Sequence, residues 1–303
     1  MEQLSRVQSR VENLTELRAV VGGIRSISAV RSQQAQQALL GARRHTEIVE
    51  GALSAVIASL PEPPPPEPAA GPEPLGLVIL YTSEHGFVGP FNEVIVSAAA
   101  ERLARRPAEL LVLGSRGAQV AEERGLSPAW TGPLSTRAEG VLADGRRVAA
   151  ELYARVAGRD VTVEVGFMRS ERGRQPSVEW RRVLPLDLQA FAPSAAHDPP
   201  PLRNLSLPEL MSRLVEEYVL AELVRAGTES FASENLARLL AMTTASEGMK
   251  DKLAELTRLA AHLRQEEITT ELLDVVTGAE ALLGEELLQE RRRRTGERFS
   301  AGA

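Results

Sequence analysis

Few residues in this sequence have the types and spacing that enzyme chemistry requires. The chain contains no cysteine, so thiolate nucleophiles, disulfides and cysteine-based zinc sites are excluded. His45 falls on an apolar helical pattern with no second ligand type at metal spacing, which indicates a core or edge histidine and not a metal ligand. No pair of acids with a neighbouring base stands out. We therefore predict no catalytic residue, no metal site and no cofactor.

One polar loop nevertheless allows a phosphate-binding interpretation. Residues 82–89 read TSEHGFVG; they follow a short apolar run and precede a helical pattern, where backbone amides can bind an anion. The spacing matches neither GxGxxG nor GxxxxGK[ST], and no lysine is available to reach a phosphate. A structural turn at Gly86 and Gly89, with Asn92 near the start of the next helix, is the stronger interpretation. The same applies to the segment from Gly114 to Gly117.

Composition excludes several classes of protein. The net charge is −6, which disfavours a nucleic-acid-binding protein. No apolar run approaches 18 residues, so we predict no membrane span. The hydrophobic fraction of 43% is enough for a real core.

Two unusually long helical patterns dominate the chain, one near each end. Their apolar residues recur at alternating steps of three and four, which is the seam of a coiled coil. The first seam contains Leu4, Val7, Val11, Leu14, Leu17, Val21, Ile24, Ala35, Ala38, Ala42, His45, Val49, Ala52 and Val56. The second contains Leu253, Leu256, Ala260, Leu263, Ile268, Leu272, Val275, Ala279 and Leu282. We predict that the two helices pair antiparallel within one chain.

The stretch between the helices alternates short apolar runs with helical patterns, which predicts a parallel sheet in a Rossmann-like α/β domain. The fold class is therefore α/β with long helices, an antiparallel two-helix coiled coil carrying an inserted domain. The predicted segments are a helix over 1–60, a proline-rich linker over 61–74, the α/β domain over 75–190, a linker over 191–203, a helix over 204–288 and a basic tail over 289–303.

Four stretches, in this order along the chain, resemble the gamma subunit of F-type ATP synthases. Residues 28–36 resemble the family's SAAKLRRAQ, and residues 83–92, SEHGFVGPFN, resemble SDRGLCGGLN. Residues 233–242, SENLARLLAM, are similar to SENAARMxAM. Residues 265–279 are similar to RQAxITQELxEIVxGA. The resemblance covers nearly the whole chain.

This resemblance implies a non-catalytic rotor shaft, which couples ion-driven rotation to nucleotide-site changes in a hexamer of alpha and beta subunits. The other implied partners are the epsilon subunit and the c-ring, at the cytoplasmic face of the bacterial inner membrane. It also implies hexamer contacts, which we carry over to Arg25, Arg31, Arg238, Thr270, Leu273 and Asp274.

The sequence also departs from the family's motifs. Gln33 and Gln34 stand where the family has basic residues that meet an acidic lever of the beta subunits, so Arg25 and Arg31 keep only part of that charge. Thr270, Leu273 and Asp274 replace Gln, Thr and Glu, which predicts a less polar contact. These departures point to a variant ATPase, for which the alternative, sodium-linked bacterial type is one candidate.

Two other classes remain open at this point: an α/β ligand-binding protein on a dimerising coiled coil, and a plain scaffold. The pairing of the long helices discriminates between them. Pairing within one chain favours the shaft, whereas parallel pairing between two chains favours a sensor or scaffold.

Overall fold

The computed structural model describes residues 2–60, 75–157, 159–170, 176–188, 190–191 and 204–300, with side chains of the last helix through residue 279. The proline-rich linker predicted over 61–74 and most of the second linker lie outside the described residues. The elements in chain order are α1 (Glu2–Ile57), β1 (Leu75–Tyr81), α2 (Phe91–Arg105), β2 (Glu109–Leu113), α3 (Ser115–Glu123), β3 (Trp130–Gly132), a 3-10 turn (Ala138–Gly140), α4 (Val141–Val156), β4 (Val161–Arg169), β5 (Ser177–Leu184) and α5 (Leu207–Ser300).

The described residues form two compact units. Unit 1 consists of residues 2–22 of α1 and residues 244–300 of α5, and unit 2 consists of residues 23–243. Both long helices therefore contribute to both units. Helix α5 continues to Ser300, so residues 289–300 are helical where the sequence predicted a tail.

In unit 1, the least exposed side chains lie on the predicted seams. Val7 and Val21 in α1 and Leu256 in α5 are buried, and Leu253 and Leu263 are partly buried on the same face of α5. These positions differ by multiples of three and four residues, as a coiled-coil seam requires. Each helical segment thus covers the apolar stripe of the other.

Parts of the predicted seams are wrong. Leu17 is half exposed, and the apolar positions from Ile268 through Val275 are all exposed. His45 is exposed, while its neighbour Thr46 is buried in the packed face. Thr46 can occupy that position because its hydroxyl donates to the Ala42 carbonyl oxygen at 3.1 Å, which satisfies its polar group within the helix.

The sheet of unit 2 has the strand order β3-β2-β1-β4-β5. Four strands are parallel, as the sequence predicted, but β5 runs antiparallel to β4, so the sheet is mixed. A strand that follows its neighbour after a short connection needs no crossover helix, and it therefore pairs antiparallel. Strand β3 was missed because three residues are too few to show a pattern.

Helices cover both faces of the sheet. On one face, α2 and α3 pack on Val78, Leu80 and Val112 through residues such as Ile95 and Val120. On the other, α4 and α5 pack on residues that include Leu77, Ile79 and Phe167, through Val148, Leu152, Val219 and Leu223. Helix α5 therefore serves as one of the domain's own core helices.

Within unit 2, α1 packs antiparallel to α5. Ala35 shares a hydrophobic cluster with Phe231, Arg43 bonds Glu229, and Glu50 lies in the electrostatic field of Glu222. Residue numbers fall along α5 as they rise along α1. The pairing is made within one chain, as the shaft interpretation requires.

Candidate partner-contact site

The polar loop at residues 82–90, which we call the β1–α2 loop, is tied together by its own side chains. The Ser83 amide donates to Asn92 Oδ1 at 3.0 Å, and Asn92 Nδ2 donates to Ser83 Oγ at 2.7 Å. Ser83 Oγ donates in turn to the His85 carbonyl at 2.9 Å. Asn92, at the start of α2, is buried. Gly89 has a φ of +58°, which a glycine adopts without steric cost.

Glu84 occupies the position that an anion would need at this edge of the sheet. Its carboxylate accepts hydrogen bonds from the Ser115 amide at 3.1 Å, the Ser115 hydroxyl at 2.7 Å and the Leu134 amide at 2.7 Å. Ser115 is the first residue of α3, so an internal carboxylate caps this helix where a phosphate binds in nucleotide folds.

Two effects oppose each other at Glu84. Burial acts to raise the pKa of the Glu84 carboxyl, but the hydrogen bonds from Leu134 and Ser115 outweigh burial and lower it. The carboxylate is therefore charged when it caps α3.

Gly117 lets the first turn of α3 lie close to the end of β1, because a Cβ at this position would lie 1.9 Å from Thr82 Oγ1. Close packing of α3 on β1 explains the glycine at this position of the GSRG segment.

Arg238 lies in the third motif, SENLARLLAM, and its side chain points into unit 2. Only 9% of the Arg238 side chain is exposed. Its Nε donates to the Gly86 carbonyl at 3.2 Å and its Nη2 to the His85 carbonyl at 3.3 Å. Nη2 also donates to Glu234 Oε1 at 2.5 Å. The contact of Arg238 with a hexamer stays a prediction, but its contact with the β1–α2 loop is direct.

Glu234 is buried between α5 and the loop. Burial raises the pKa of the Glu234 carboxyl, and the nearby Arg238 guanidinium acts to lower it. The neighbouring Ser230 hydroxyl donates to the Tyr81 carbonyl at 3.2 Å, at the end of β1. Two motifs that lie about 150 residues apart in sequence therefore meet in one buried polar cluster.

The other predicted contact residues lie in two separate groups. In unit 2, Arg25 is exposed and Arg31 lines an open groove with Ile27, Val30 and Arg137. In unit 1, the remaining three are all exposed: Thr270, Leu273 and Asp274. Their contact with other subunits stays a prediction.

Sequence reasoning missed the buried charges of α5. Glu222 is 1% exposed and accepts from Arg181 of β5 at 2.8 Å and from Arg225 at 3.3 Å. Glu229 is buried and bonds Arg43. The sequence pattern could have revealed them. Glu222 and Glu229 are seven residues, or two helical turns, apart, so they fall on the same helical face near the apolar positions 219, 223 and 226 that cover the sheet.

Two negative findings hold for the described part of the chain. It contains no group of three His, Cys, Asp or Glu side chains placed to hold a metal ion. Likewise, no helix that is described there combines the length and the apolar character that a membrane span needs.

Comparisons with known proteins give matches to one family along almost the full length of this chain. A family model described as ATP synthase matches residues 3–282. The ATP synthase gamma chain of Fuscovulum blasticum is 28% identical over 298 residues, which cover 93% of this chain and all of that protein. The gamma chain of Streptomyces avermitilis is 28% identical over 297 residues, covering 92% and 96%.

Solved structures share the fold. A chain of the Euglena gracilis mitochondrial ATP synthase OSCP/F1/c-ring structure has a TM-score of 0.66 at 13% identity, covering 93% of this chain and 95% of that one. A chain of the Tetrahymena thermophila central stalk/c-ring structure has a TM-score of 0.53 at 20% identity, covering 75% and 99%. Because the family model spans nearly the whole sequence, this protein belongs to the ATP synthase gamma family.

Proposed function

We propose that this chain is the central rotor shaft of an F-type ATP synthase, coupling ion-driven rotation to changes at the nucleotide sites of an alpha3beta3 hexamer. It is a non-catalytic subunit of that complex. The observation that carries this proposal is the pairing of the chain's two ends with each other in unit 1, combined with an α/β domain for which α5 supplies a core helix.

A shaft works by presenting a different face to each stationary subunit as it turns. Each face stabilises a different conformation of the subunit that it contacts, so rotation changes nucleotide affinities through differential contact free energy. The helices must therefore turn together with the domain that receives the torque.

The buried charges of α5 supply that connection within unit 2. Glu222 bonds Arg181 on the sheet edge, Glu229 bonds Arg43 on α1, and Arg238 bonds the β1–α2 loop. Turning α5 about its own axis would separate buried charges from their partners, which is costly in a low-dielectric interior. Three contacts to three different elements thus resist torsional slip.

The partners follow from the same proposal. Arg25 and Arg31 on α1 and Thr270, Leu273 and Asp274 on α5 contact the alpha and beta subunits, while the α/β domain faces the epsilon subunit and the c-ring. The exposed positions of most of these side chains support that role.

The complex sits at the cytoplasmic face of the bacterial inner membrane, where this chain is peripheral. The bacterial origin of gamma-chain relatives supports this placement.

The alternative is a ligand-binding or scaffold protein on a dimerising coiled coil. Two observations favour the shaft over it. The long helices pair within one chain, and the Glu84 carboxylate already fills the anion position at the start of α3.

The test is reconstitution of the purified chain with alpha and beta subunits of a bacterial ATP synthase. We expect the chain to co-elute with the hexamer at one copy per complex and to raise its ATP hydrolysis rate. Elution of the chain as a dimer of parallel helices, with no effect on the hexamer, would contradict the proposal.

A further inference from the structure

A cavity of about 350 Å³ lies at the edge of the sheet where the parallel strands begin. Its floor belongs to the face of the sheet that α2 covers, and its wall is the last turn of α2. All of its lining residues belong to unit 2. The volume falls within the range of about 300–1,000 Å³ that is usual for small-ligand sites.

Thr162, the second residue of β4, places a buried hydroxyl group at the floor of this cavity. The residue is only 9% exposed, and among the described residues its hydroxyl has no hydrogen-bond partner. Thr162 pairs with Gly76 of β1, which has no side chain to cover the hydroxyl. Buried polar groups in folded proteins are nearly always hydrogen-bonded, so the Thr162 hydroxyl indicates a partner that enters the cavity.

Two guanidinium groups line the same cavity. Arg105 is the last residue of α2 and Arg106 follows it. Both are exposed, and neither guanidinium has an ion pair or hydrogen bond with another described residue. A helix C-terminus favours basic residues, which accounts for their charge but not for the unpartnered hydroxyl on the cavity floor.

The other charges of the cavity leave it with an excess of positive charge. Arg102 Nε donates to Glu164 Oε2 at 2.5 Å, so these two charges neutralise each other. Arg102 also stacks on the Trp180 ring, with its Cζ 4.9 Å from the ring centroid. The remaining lining carboxylate is Glu101, which is exposed. Two guanidiniums against one carboxylate favour an anionic ligand.

We infer that this cavity binds a small phosphate ester, whose phosphate group is held by Arg105, Arg106 and the Thr162 hydroxyl. Guanidinium groups match the geometry of phosphate oxygens, and a phosphate has enough oxygens to accept from all three side chains. The remaining volume beside Trp180 accommodates the organic part of the ester. This inference is independent of the proposed shaft function.

The first experiment uses Trp180 as a reporter of the cavity. The chain has two tryptophans, and Trp130 packs against the core on the other face of the sheet. In a Trp130→Phe background, we expect AMP to change the fluorescence of Trp180 saturably. Adenosine, which lacks the phosphate, should produce no saturable change. Inorganic phosphate should compete with AMP but bind more weakly.

The second experiment tests the two guanidiniums by calorimetric titration of the full chain with AMP. Arg105→Gln/Arg106→Gln should lower the affinity at least about tenfold, because hydrogen bonds to a charged ligand are lost. The control Arg44→Gln/Arg146→Gln removes the same charge from exposed positions elsewhere in unit 2 and should bind normally. Glu101→Gln should bind AMP more tightly, since it removes the like charge.

The third experiment tests the hydroxyl. Thr162→Val keeps the size and the strand preference of the side chain, and we expect it to lower AMP affinity about tenfold with unchanged thermal stability. Thr162→Ser should retain most of the affinity. The matched control is Thr131→Val, at an exposed position of β3, and it should bind normally.

The contrary outcomes are distinct. If neither AMP nor inorganic phosphate changes Trp180 fluorescence, or if the variants of Arg105, Arg106 and Thr162 bind as well as wild type, the site is wrong. If only vesicles that contain phosphatidic acid change it, the phosphate belongs to a lipid headgroup and the assignment to a soluble ester is wrong. Because each measurement uses the isolated chain, these failures leave the shaft function standing.

Discussion

Arg43 of α1 and Glu229 of α5 form an ion pair between residues that lie 186 positions apart in the chain. Arg43 Nε donates to Glu229 Oε1 at 3.0 Å. The Glu229 side chain is 5% exposed, whereas that of Arg43 is 39% exposed. The buried carboxylate therefore needs the guanidinium to compensate its charge, whereas the guanidinium can be solvated by water if the carboxylate is removed.

This asymmetry predicts the result of removing the arginine. Arg43→Ala leaves a buried carboxylate without its partner, and we expect a loss of about 2–3 kcal/mol of unfolding free energy. In a Glu229→Gln background the same substitution should cost much less. Urea denaturation of the purified chain measures both values. The neighbouring Arg44→Ala, at an exposed position, is the control; equal losses for Arg43 and Arg44 would contradict the pair's role.

Replacing glycine with alanine should have opposite effects on stability at two positions of α5. A Cβ on Gly227 would lie 2.9 Å from Tyr81 Cε1 and 3.3 Å from Val141 Cγ1, whereas a Cβ on Gly248 meets nothing within 4 Å. We expect Gly227→Ala to destabilise by about 1–3 kcal/mol through overpacking. Gly248→Ala should stabilise by about 0.5–1 kcal/mol, because alanine loses less conformational entropy in a helix. Thermal melting checks both predictions. A stabilising Gly227→Ala would show that Tyr81 and Val141 can move to make room for the methyl group.

The Glu84 cap predicts an acid-sensitive contribution to stability. Its pKa is lowered in the folded chain relative to the ordinary value of 4.5, so the folded state favours the ionised form. The contribution is therefore present above pH 4.5 and is lost as the pH falls through the lowered folded-state pKa. Glu84→Gln should reduce this acid dependence, measured by denaturation at several pH values.

The same cap predicts a loss at neutral pH. Glu84→Ala removes the acceptor of the Leu134 and Ser115 hydrogen bonds, and we expect a cost of about 1–2 kcal/mol, the usual range for a helix cap. The exposed Glu122→Ala, at the other end of α3, should be nearly neutral. A Glu84→Ala variant as stable as wild type would show that water replaces the carboxylate without cost.

In unit 1, substitutions of two leucines of α5 distinguish an effect on folding stability from an effect on partner contact. Leu256 is 8% exposed and Leu273 is 62% exposed. Leu256→Ala should destabilise the chain by about 2 kcal/mol, while Leu273→Ala should stay within about 0.5 kcal/mol of wild type. Under the proposed function, Leu273→Ala should instead lower ATP turnover of the reconstituted complex. Equal melting losses for the two variants would show that Leu273 packs within the chain.

The sequence alone determined the two long helices, most of the strands and the family. Periodicity of three and four residues is a local property of the chain, so it is sufficient to place Val7, Val21 and Leu256 on the seams. The motifs at 83–92 and 233–242 likewise carried the resemblance by residue type and order.

Only the tertiary structure decided which residues those motifs touch. Residue spacing cannot reveal that Arg238 bonds the carbonyls of His85 and Gly86, or that Glu84 caps α3, because these partners come from distant parts of the chain. The same reason applies to the exposed stripe from Ile268 to Val275: an apolar pattern shows that a face needs covering, but not whether this chain or another one covers it.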